Sequence, residues 1–227
     1  MNILFTRFPL ESLFGGAEVQ TLSLMKSLIV RGHSVSFVGS CPVLLVEGEK
    51  IQVKTSQIHI GNPPVTKWDA FSFVWRKRAM KKALEQMMNN MSSMPDIICM
   101  VSLSEKILLT PFALRKGIKV LWIEHDSVGR WLRGNPWLST ICKLSGSVTT
   151  VCVSELSAEM YRSMGYKNVQ CIPNGVAPPT YRATPSSSTS ITLGCIARLS
   201  PEKGVHVLVD AIKNMASVRL IINGKGS

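Results

Sequence analysis

Apolar runs of strand length alternate with stretches of helical period along the whole of this 227-residue chain. That alternation constrains the fold more than any other feature. Asn2–Thr6 reads as a strand, a loop ends at Gly15-Gly16, and Ala17–Val30 carries helical spacing through Val19, Leu22, Leu24 and Leu28. Arg31-Gly32-His33 stops that helix, and Ser34–Gly39 is a second short strand. Phe71–Met91 returns to helical period, Asp96–Ser102 is a strand, Ser104–Lys116 a helix and Ile118–Ile123 a strand. Val128–Leu144 is helical in part, broken by Gly134-Asn135-Pro136. Ser147–Val153, Glu155–Met164 and Val169–Ile172 then follow as strand, helix and strand. Strands joined by helical crossovers run parallel, so the expected fold class is α/β, a doubly wound parallel sheet.

Two stretches depart from the pattern. Cys41–Thr66 contains Pro42, Pro63 and Pro64 and is expected to be irregular, with short strands. Ala177–Ser190 (APPTYRATPSSSTS) is rich in Pro, Ser and Thr without an apolar period, the composition of a linker. The pattern then restarts, with Ile191–Ala197 as strand, Glu202–Asn214 as helix and Val218–Ile222 as strand. The expected organisation is a domain over 1–176, a linker over 177–190 and the first β-α-β unit of a second domain over 191–227.

Apolar residues make up 45% of the chain and charged residues 18%, enough to build a core, which excludes a disordered chain. A formal charge of +12 favours anionic partners: phosphorylated substrates, membrane headgroups or nucleic acid. Six cysteines lie without any CxxC pair, and Cys99, Cys152 and Cys195 fall inside apolar runs. A reduced cytosolic chain is expected, rather than a disulfide framework or a zinc site. The opening Met1-Asn2-Ile3-Leu4-Phe5 lacks the pattern of a signal peptide, and no apolar run reaches the ~20 residues that span a bilayer.

Candidate sites fall at the junctions. Gly15 and Gly16 stand between the first strand and its helix, where free N–H groups attract phosphate; a tight turn is the alternative, and the GxGxxG spacing of a dinucleotide site is absent. His125 ends a strand, at the side of a parallel sheet where ligands bind, and can donate to a sugar hydroxyl or phosphate or act as an acid or base; the alternative is a surface histidine satisfied by Asp126. Arg198 and Lys203 flank the turn in Ala197-Arg198-Leu199-Ser200-Pro201-Glu202-Lys203-Gly204. A bidentate guanidinium and an ammonium near a helix start suit a diphosphate, although either alone reads as a solvated cation. Arg76, Lys77 and Arg78, with Lys81 and Lys82, give the helix around them a basic face opposite a stripe of Phe73, Met80, Leu84, Met87 and Met91. Such a helix lies on an anionic membrane or packs on the sheet with its charges solvated. No nucleic-acid reader element, Ser-His-Asp order, metal-ligand spacing or P-loop is present in the sequence.

In order along the chain come Gly15-Gly16-Ala17-Glu18, Val153-Ser154-Glu155 and Ile172-Pro173-Asn174-Gly175-Val176. Gly194-Cys195-Ile196-Ala197-Arg198-Leu199 with Lys203-Gly204 follow, then Leu220–Asn223 leading to Gly224 and Gly226. In this combination the chain resembles the GT-B-fold retaining glycosyltransferases of family GT4 (glycosyl transferases group 1), which includes sucrose synthase-like and mannosyltransferase-like enzymes. The resemblance implies two Rossmann-like domains with a nucleotide-sugar between them. Arg198 and Lys203 then hold the donor diphosphate and neutralise it as it leaves, with Gly15, Gly16, Asn174 and Gly224 at the donor, and His125 stands near the donor sugar, so that His125, Arg198 and Lys203 are the expected catalytic residues. It also implies transfer with retention of configuration, with no cofactor and no metal, since the nucleotide-sugar is itself a substrate. The acceptor is expected to be a lipid-linked or polysaccharide glycan, and the location cytoplasmic or peripheral on the inner face of the membrane. The family's paired glutamates have no counterpart before Ser227, so the second domain is expected to be incomplete. A binding or scaffold module without catalysis is the alternative.

Overall fold

The computed structural model describes residues 1–9, 15–125, 130–176, 178 and 191–224, with the backbone alone for 130, 131 and 202. The chain divides into two compact units, Met1–Val176 and Ala177–Ser227. The expected linker over 177–190 lies, apart from Pro178, outside the described residues.

In the first unit the elements run β1 (Asn2–Arg7), α1 (Gly16–Val30), β2 (Ser34–Gly39), α2 (Pro42–Lys50), β3 (Lys54–Gln57) and α3 (Lys67–Asn89). Then come β4 (Ile97–Met100), α4 (Leu103–Leu108), α5 (Thr110–Arg115), β5 (Lys119–Glu124), α6 (Arg130–Arg133), α7 (Leu138–Ser145), β6 (Thr149–Cys152), α8 (Glu155–Ser163) and β7 (Val169–Cys171). All seven strands pair in parallel in the order β3-β2-β1-β4-β5-β6-β7. The order reverses between β1 and β4, and the crevice outside the carboxyl ends of the strands at such a switch is where open α/β sheets bind ligands.

Alternation along β1 explains why the sheet is buried on both faces. Leu4 joins Met100, Trp122 and Cys152 in a cluster with Phe73, Met80 and Leu84 of α3, Leu108 and Phe112 of α4–α5, Ile141 of α7 and Tyr161 of α8. Ile3 and Phe5 point to the other face, packing with Phe37, Met25 of α1 and Leu44 of α2. The coverage is unequal. Among the described residues six helices, α3 to α8, contribute side chains to one face, and α1 and α2 to the other, so the flank of β4, β5 and β6 on the α1 side is left as a groove.

The doubly wound parallel sheet expected from the sequence is what the structure shows. Three local expectations change in the first unit. Cys41–Thr66 contains a helix, α2, because Pro42 stands at its first position, where a missing N–H costs nothing. Ser104–Lys116 is two helices rather than one. Leu109 falls between them, since the Pro111 ring cannot follow an uninterrupted turn. α3 begins at Lys67, four residues before Phe71, because Thr66 caps it: the Thr66 hydroxyl accepts from the Asp69 N–H at 3.0 Å and donates to the Asp69 carboxylate at 2.6 Å.

In the second unit β8 (Ile191–Ile196) pairs in parallel with β9 (Val218–Asn223), connected through a 3-10 turn (Pro201–Lys203) and α9 (Val205–Ile212). Where one helix was expected over Glu202–Asn214, Gly204 at φ 65° separates turn from helix. No residue of α9 is buried. Among the described residues of the whole chain, no helix is long and apolar enough to cross a membrane.

Candidate functional site

At the switch point the end of β1 is tied to the start of α1. The Gly15 N–H donates to the Glu18 carboxylate at 3.1 Å, and the same carboxylate pairs with the Arg7 guanidinium, both side chains nearly buried. The first turn of α1 therefore has its positive end partly answered from within. Gly39 is forced by the same junction, because a Cβ there would stand 2.2 Å from the Arg7 carbonyl oxygen. On the other side of the switch the Phe8 N–H donates to the Ser102 hydroxyl at 2.9 Å, and the Ser102 N–H donates to the Glu105 carboxylate at 2.7 Å. Glu105 is fully buried, and burial pushes its carboxyl up to about 7 against the pull of those backbone N–H groups and of Lys106.

β5 delivers His125. The preceding Glu124 forms a buried ion pair with Lys106 at 2.7 Å, and the ammonium also donates to the Ile123 carbonyl at 3.3 Å, fixing the strand end on which His125 sits. His125 is half-buried and lines the open groove with Ile123, Val153, Pro173 and Asn174, while Gln20 and Leu24 of α1 form its other bank. The groove holds about 340 Å³ and is almost wholly apolar except at this end. The structure thus brings His125 and Asn174, far apart in sequence, to one rim beside α1. Gly15 and Gly16 sit one turn back along that helix. Asp126 lies outside the described residues.

In the second unit Arg198, Lys203 and Gly224 share the carboxyl edge of the β8–β9 pair. Gly224 follows β9 and Arg198 follows β8, and the two ends touch: a Cβ on Gly224 would fall 1.8 Å from the Ala197 carbonyl oxygen. Arg198 and Lys203 are exposed, and the turn holding them closes through Ser200 N–H to the Arg198 carbonyl and Lys203 N–H to the Ser200 carbonyl, both 3.0 Å. Two unshielded cations and a bare glycine backbone at one strand edge can receive a polyanion. Lys225, Gly226 and Ser227 lie outside the described residues.

The three cations of α3 have separate fates. Arg76 donates to the Ser72 hydroxyl at 3.0 and 3.2 Å and to the Asn62 carbonyl at 3.2 Å, and its guanidinium lies 3.8 Å from Asp69. It pins the loop before the helix. The Lys77 ammonium sits 4.9 Å over the Trp137 ring. Arg78 is exposed. Sequence reasoning missed the outward aromatic residues of the same helix: Trp68, Phe71 and Trp75 are 82%, 61% and 66% exposed. Their i, i+3, i+7 spacing was the available signal.

A family model described as Glycosyltransferase Family 4 matches residues 14–178, most of the chain. The chain belongs to glycosyltransferase family 4. Solved structures similar to it have the GT-B fold. An Anabaena protein, Alr3699/HepE in complex with UDP, is 17% identical with a TM-score of 0.74, over 100% of this chain and 62% of that one. Starch synthase IV from Arabidopsis thaliana bound to ADP and acarbose is 14% identical (TM-score 0.57, 99% and 68% covered). Acinetobacter baumannii MurG is 12% identical (TM-score 0.57, 98% and 67% covered). The chain therefore spans about three fifths of the length of the HepE protein. No curated protein matches the sequence. Within the family's fold, the first unit is the Rossmann-like sheet with its switch point, and β8-α9-β9 is a β-α-β unit of the same kind.

Proposed function

We propose that the chain is part of a glycosyltransferase that moves a sugar from a nucleoside-diphosphate sugar to a lipid-linked or polysaccharide acceptor, with retention of configuration. The observation that carries this reading is the shared edge of Arg198, Lys203 and Gly224, in a chain whose family match covers the first unit. HepE was solved with UDP and with UDP-glucose, which supports a nucleotide-sugar donor here. In this reading the guanidinium and ammonium hold the donor diphosphate and neutralise it as it leaves, so that fixed cations stabilise the charge that develops in the transition state. No cofactor is required, the donor being a substrate.

His125 and Asn174 act in the first unit, at the rim of the groove. His125 is placed to donate to a hydroxyl of the transferred sugar, and Gly15 and Gly16 leave the backbone of the α1 start open to the ligand. The reaction runs in the cytoplasm or at the inner face of a membrane, with a glycan or glycolipid as acceptor partner.

Isothermal titration of the 227-residue chain with uridine, adenosine and guanosine diphosphates tests the donor half. One of them binds, and Arg198→Ala and Lys203→Ala each weaken it about 10–100-fold, the loss of a charge-assisted pair. Undiminished affinity in both variants, or no binding of any diphosphate at millimolar concentration by the folded chain, would sink the reading.

A further inference from the structure

The first half of α3 presents an aromatic face with nothing packed on it. Trp68, Phe71, Val74 and Trp75 are all exposed, and the rings of Phe71 and Trp75 stack edge-on with centroids 4.7 Å apart. Continuing down the same face come Arg78, Ala79 and Lys82, also exposed, with Lys67 at the top. The helix is thus apolar outward at one end and cationic outward one to two turns below. Its inner face is committed elsewhere: Phe73 packs edge-on against Trp137 at 5.1 Å, the Trp137 indole N–H donates to the Ala70 carbonyl at 3.3 Å, and Asn135 donates to the Pro64 carbonyl at 2.6 Å. The aromatic residues cannot turn inward, because the space beneath them is filled.

The placement adds meaning. α3 leaves the carboxyl end of β3 and returns to the start of β4, and both strands run parallel to β1. Its first turns therefore lie at the carboxyl edge of the sheet, the edge that carries the α1 start, Ser102, His125 and Asn174. Exposed Trp and Phe beside Lys and Arg favour the bilayer interface, where the rings enter the headgroup boundary and the cations meet lipid phosphates. A protein partner would need only the apolar part. The cations at one end of the stripe and the net charge of +12 point to an anionic surface.

We infer that the outward face of α3, formed by Trp68, Phe71 and Trp75 with Arg78 and Lys82, is an insertion surface for an anionic lipid bilayer. Seated this way, the protein turns the site edge of its first unit toward the membrane, so that the headgroup of a lipid-linked acceptor arrives at the rim of His125 and Asn174. This delivery rests on the acceptor reading above; membrane insertion itself does not, and it is read without any sugar or any turnover.

The test is co-sedimentation of the full chain with phosphatidylcholine vesicles, with and without roughly 30% phosphatidylglycerol, alongside fluorescence quenching by lipids brominated in their acyl chains. The wild type partitions onto the anionic vesicles and its tryptophan emission is quenched. Trp68→Ser with Phe71→Ser and Trp75→Ser lowers the partition coefficient at least about tenfold, and Arg78→Gln with Lys82→Gln lowers it on anionic vesicles only. Trp68→Phe with Trp75→Phe keeps the partition and loses the quenching, which also serves if the triple serine variant unfolds. Unchanged partition in the serine variant, or quenching that survives the phenylalanine variant, overturns the proposal. So does a wild type that ignores vesicles but forms a dimer the serine variant dissolves.

Discussion

Glu105 shows how a single buried residue writes pH dependence into the site. Its carboxyl is held near 7 in the folded protein by burial, well above its ordinary value. Below the unfolded value both states carry the proton and the residue contributes no pH dependence. As pH rises from about 4.5 toward 7, the unfolded chain releases its proton while the folded one keeps it, so stability falls through that window and levels off above it. A shift of this size corresponds to about 3 kcal/mol. Glu105→Gln keeps an oxygen for the Ser102 N–H and removes the titration. The variant is expected to gain on the wild type in urea unfolding at pH 8 and to lose that advantage at pH 5. A difference independent of pH would show that Glu105 is ionised throughout. The neighbouring Lys106–Glu124 pair makes a contrast. There burial is matched by a partner at 2.7 Å, and the strand end beneath His125 is held by a satisfied charge pair.

Among the elements, α3 does the most positioning, and its start depends on one hydroxyl. Thr66 both accepts from and donates to Asp69, and the turn it closes carries Trp68, with Phe71 two residues beyond. Thr66→Ala is expected to cost about 1 kcal/mol, lowering the urea midpoint at unchanged slope, with Thr66→Ser restoring it. An unaltered midpoint in the alanine variant would mean that Arg76 and its bonds to Ser72 and Asn62 hold the turn alone. The start of α3 was also a place where sequence reading fell short, because the lone Thr-x-x-Asp cap carries less signal than the apolar stripe from Phe73 onward. Ser34–Gly39 coincides residue for residue with β2, since strand length, alternation and the Arg31-Gly32-His33 stop agree. Within Cys41–Thr66 the expected short strand is β3, and the helix α2 is the part not legible in sequence, because prolines weigh as breakers wherever they stand and only the helix itself shows that Pro42 is at its first position. The positions of Gly15 and Gly16 at the α1 start, of His125 after β5 and of the Arg198–Lys203 turn after β8 follow from the strand–helix alternation, while their roles belong to the proposed function. The Arg7–Glu18 tie is not legible in sequence, since the two residues meet only through the β1–α1 turn, and neither is the outward aromatic face, because aromatic residues on a helix read as core by default.

At the scale of the molecule, the core belongs to one unit. Among the described residues, both hydrophobic clusters draw on residues up to Cys171. In the second unit Ile196 is 88% exposed and Val207 60%, and Ile221 and Ile222 of β9 remain open to solvent. Parallel strands are stable when both of their faces are buried, a condition that β1 and β4 meet almost residue for residue and β8 and β9 do not. Opening free energies therefore differ along the chain, because local opening costs what local burial supplies. Native-state hydrogen exchange is expected to show amides of β1 and β4 protected to the global limit, and those of β8 and β9 exchanging roughly a thousandfold faster or more. On the proposed function, a nucleoside diphosphate held by Arg198 and Lys203 would bind the folded second unit and not the open one, and so is expected to slow exchange there in proportion to its occupancy and to leave β1 and β4 unchanged. Equal protection in β9 and β4 without ligand would show that the second unit shares the stability of the first. Ligand-induced slowing confined to the first unit would move the donor site away from Arg198 and Lys203.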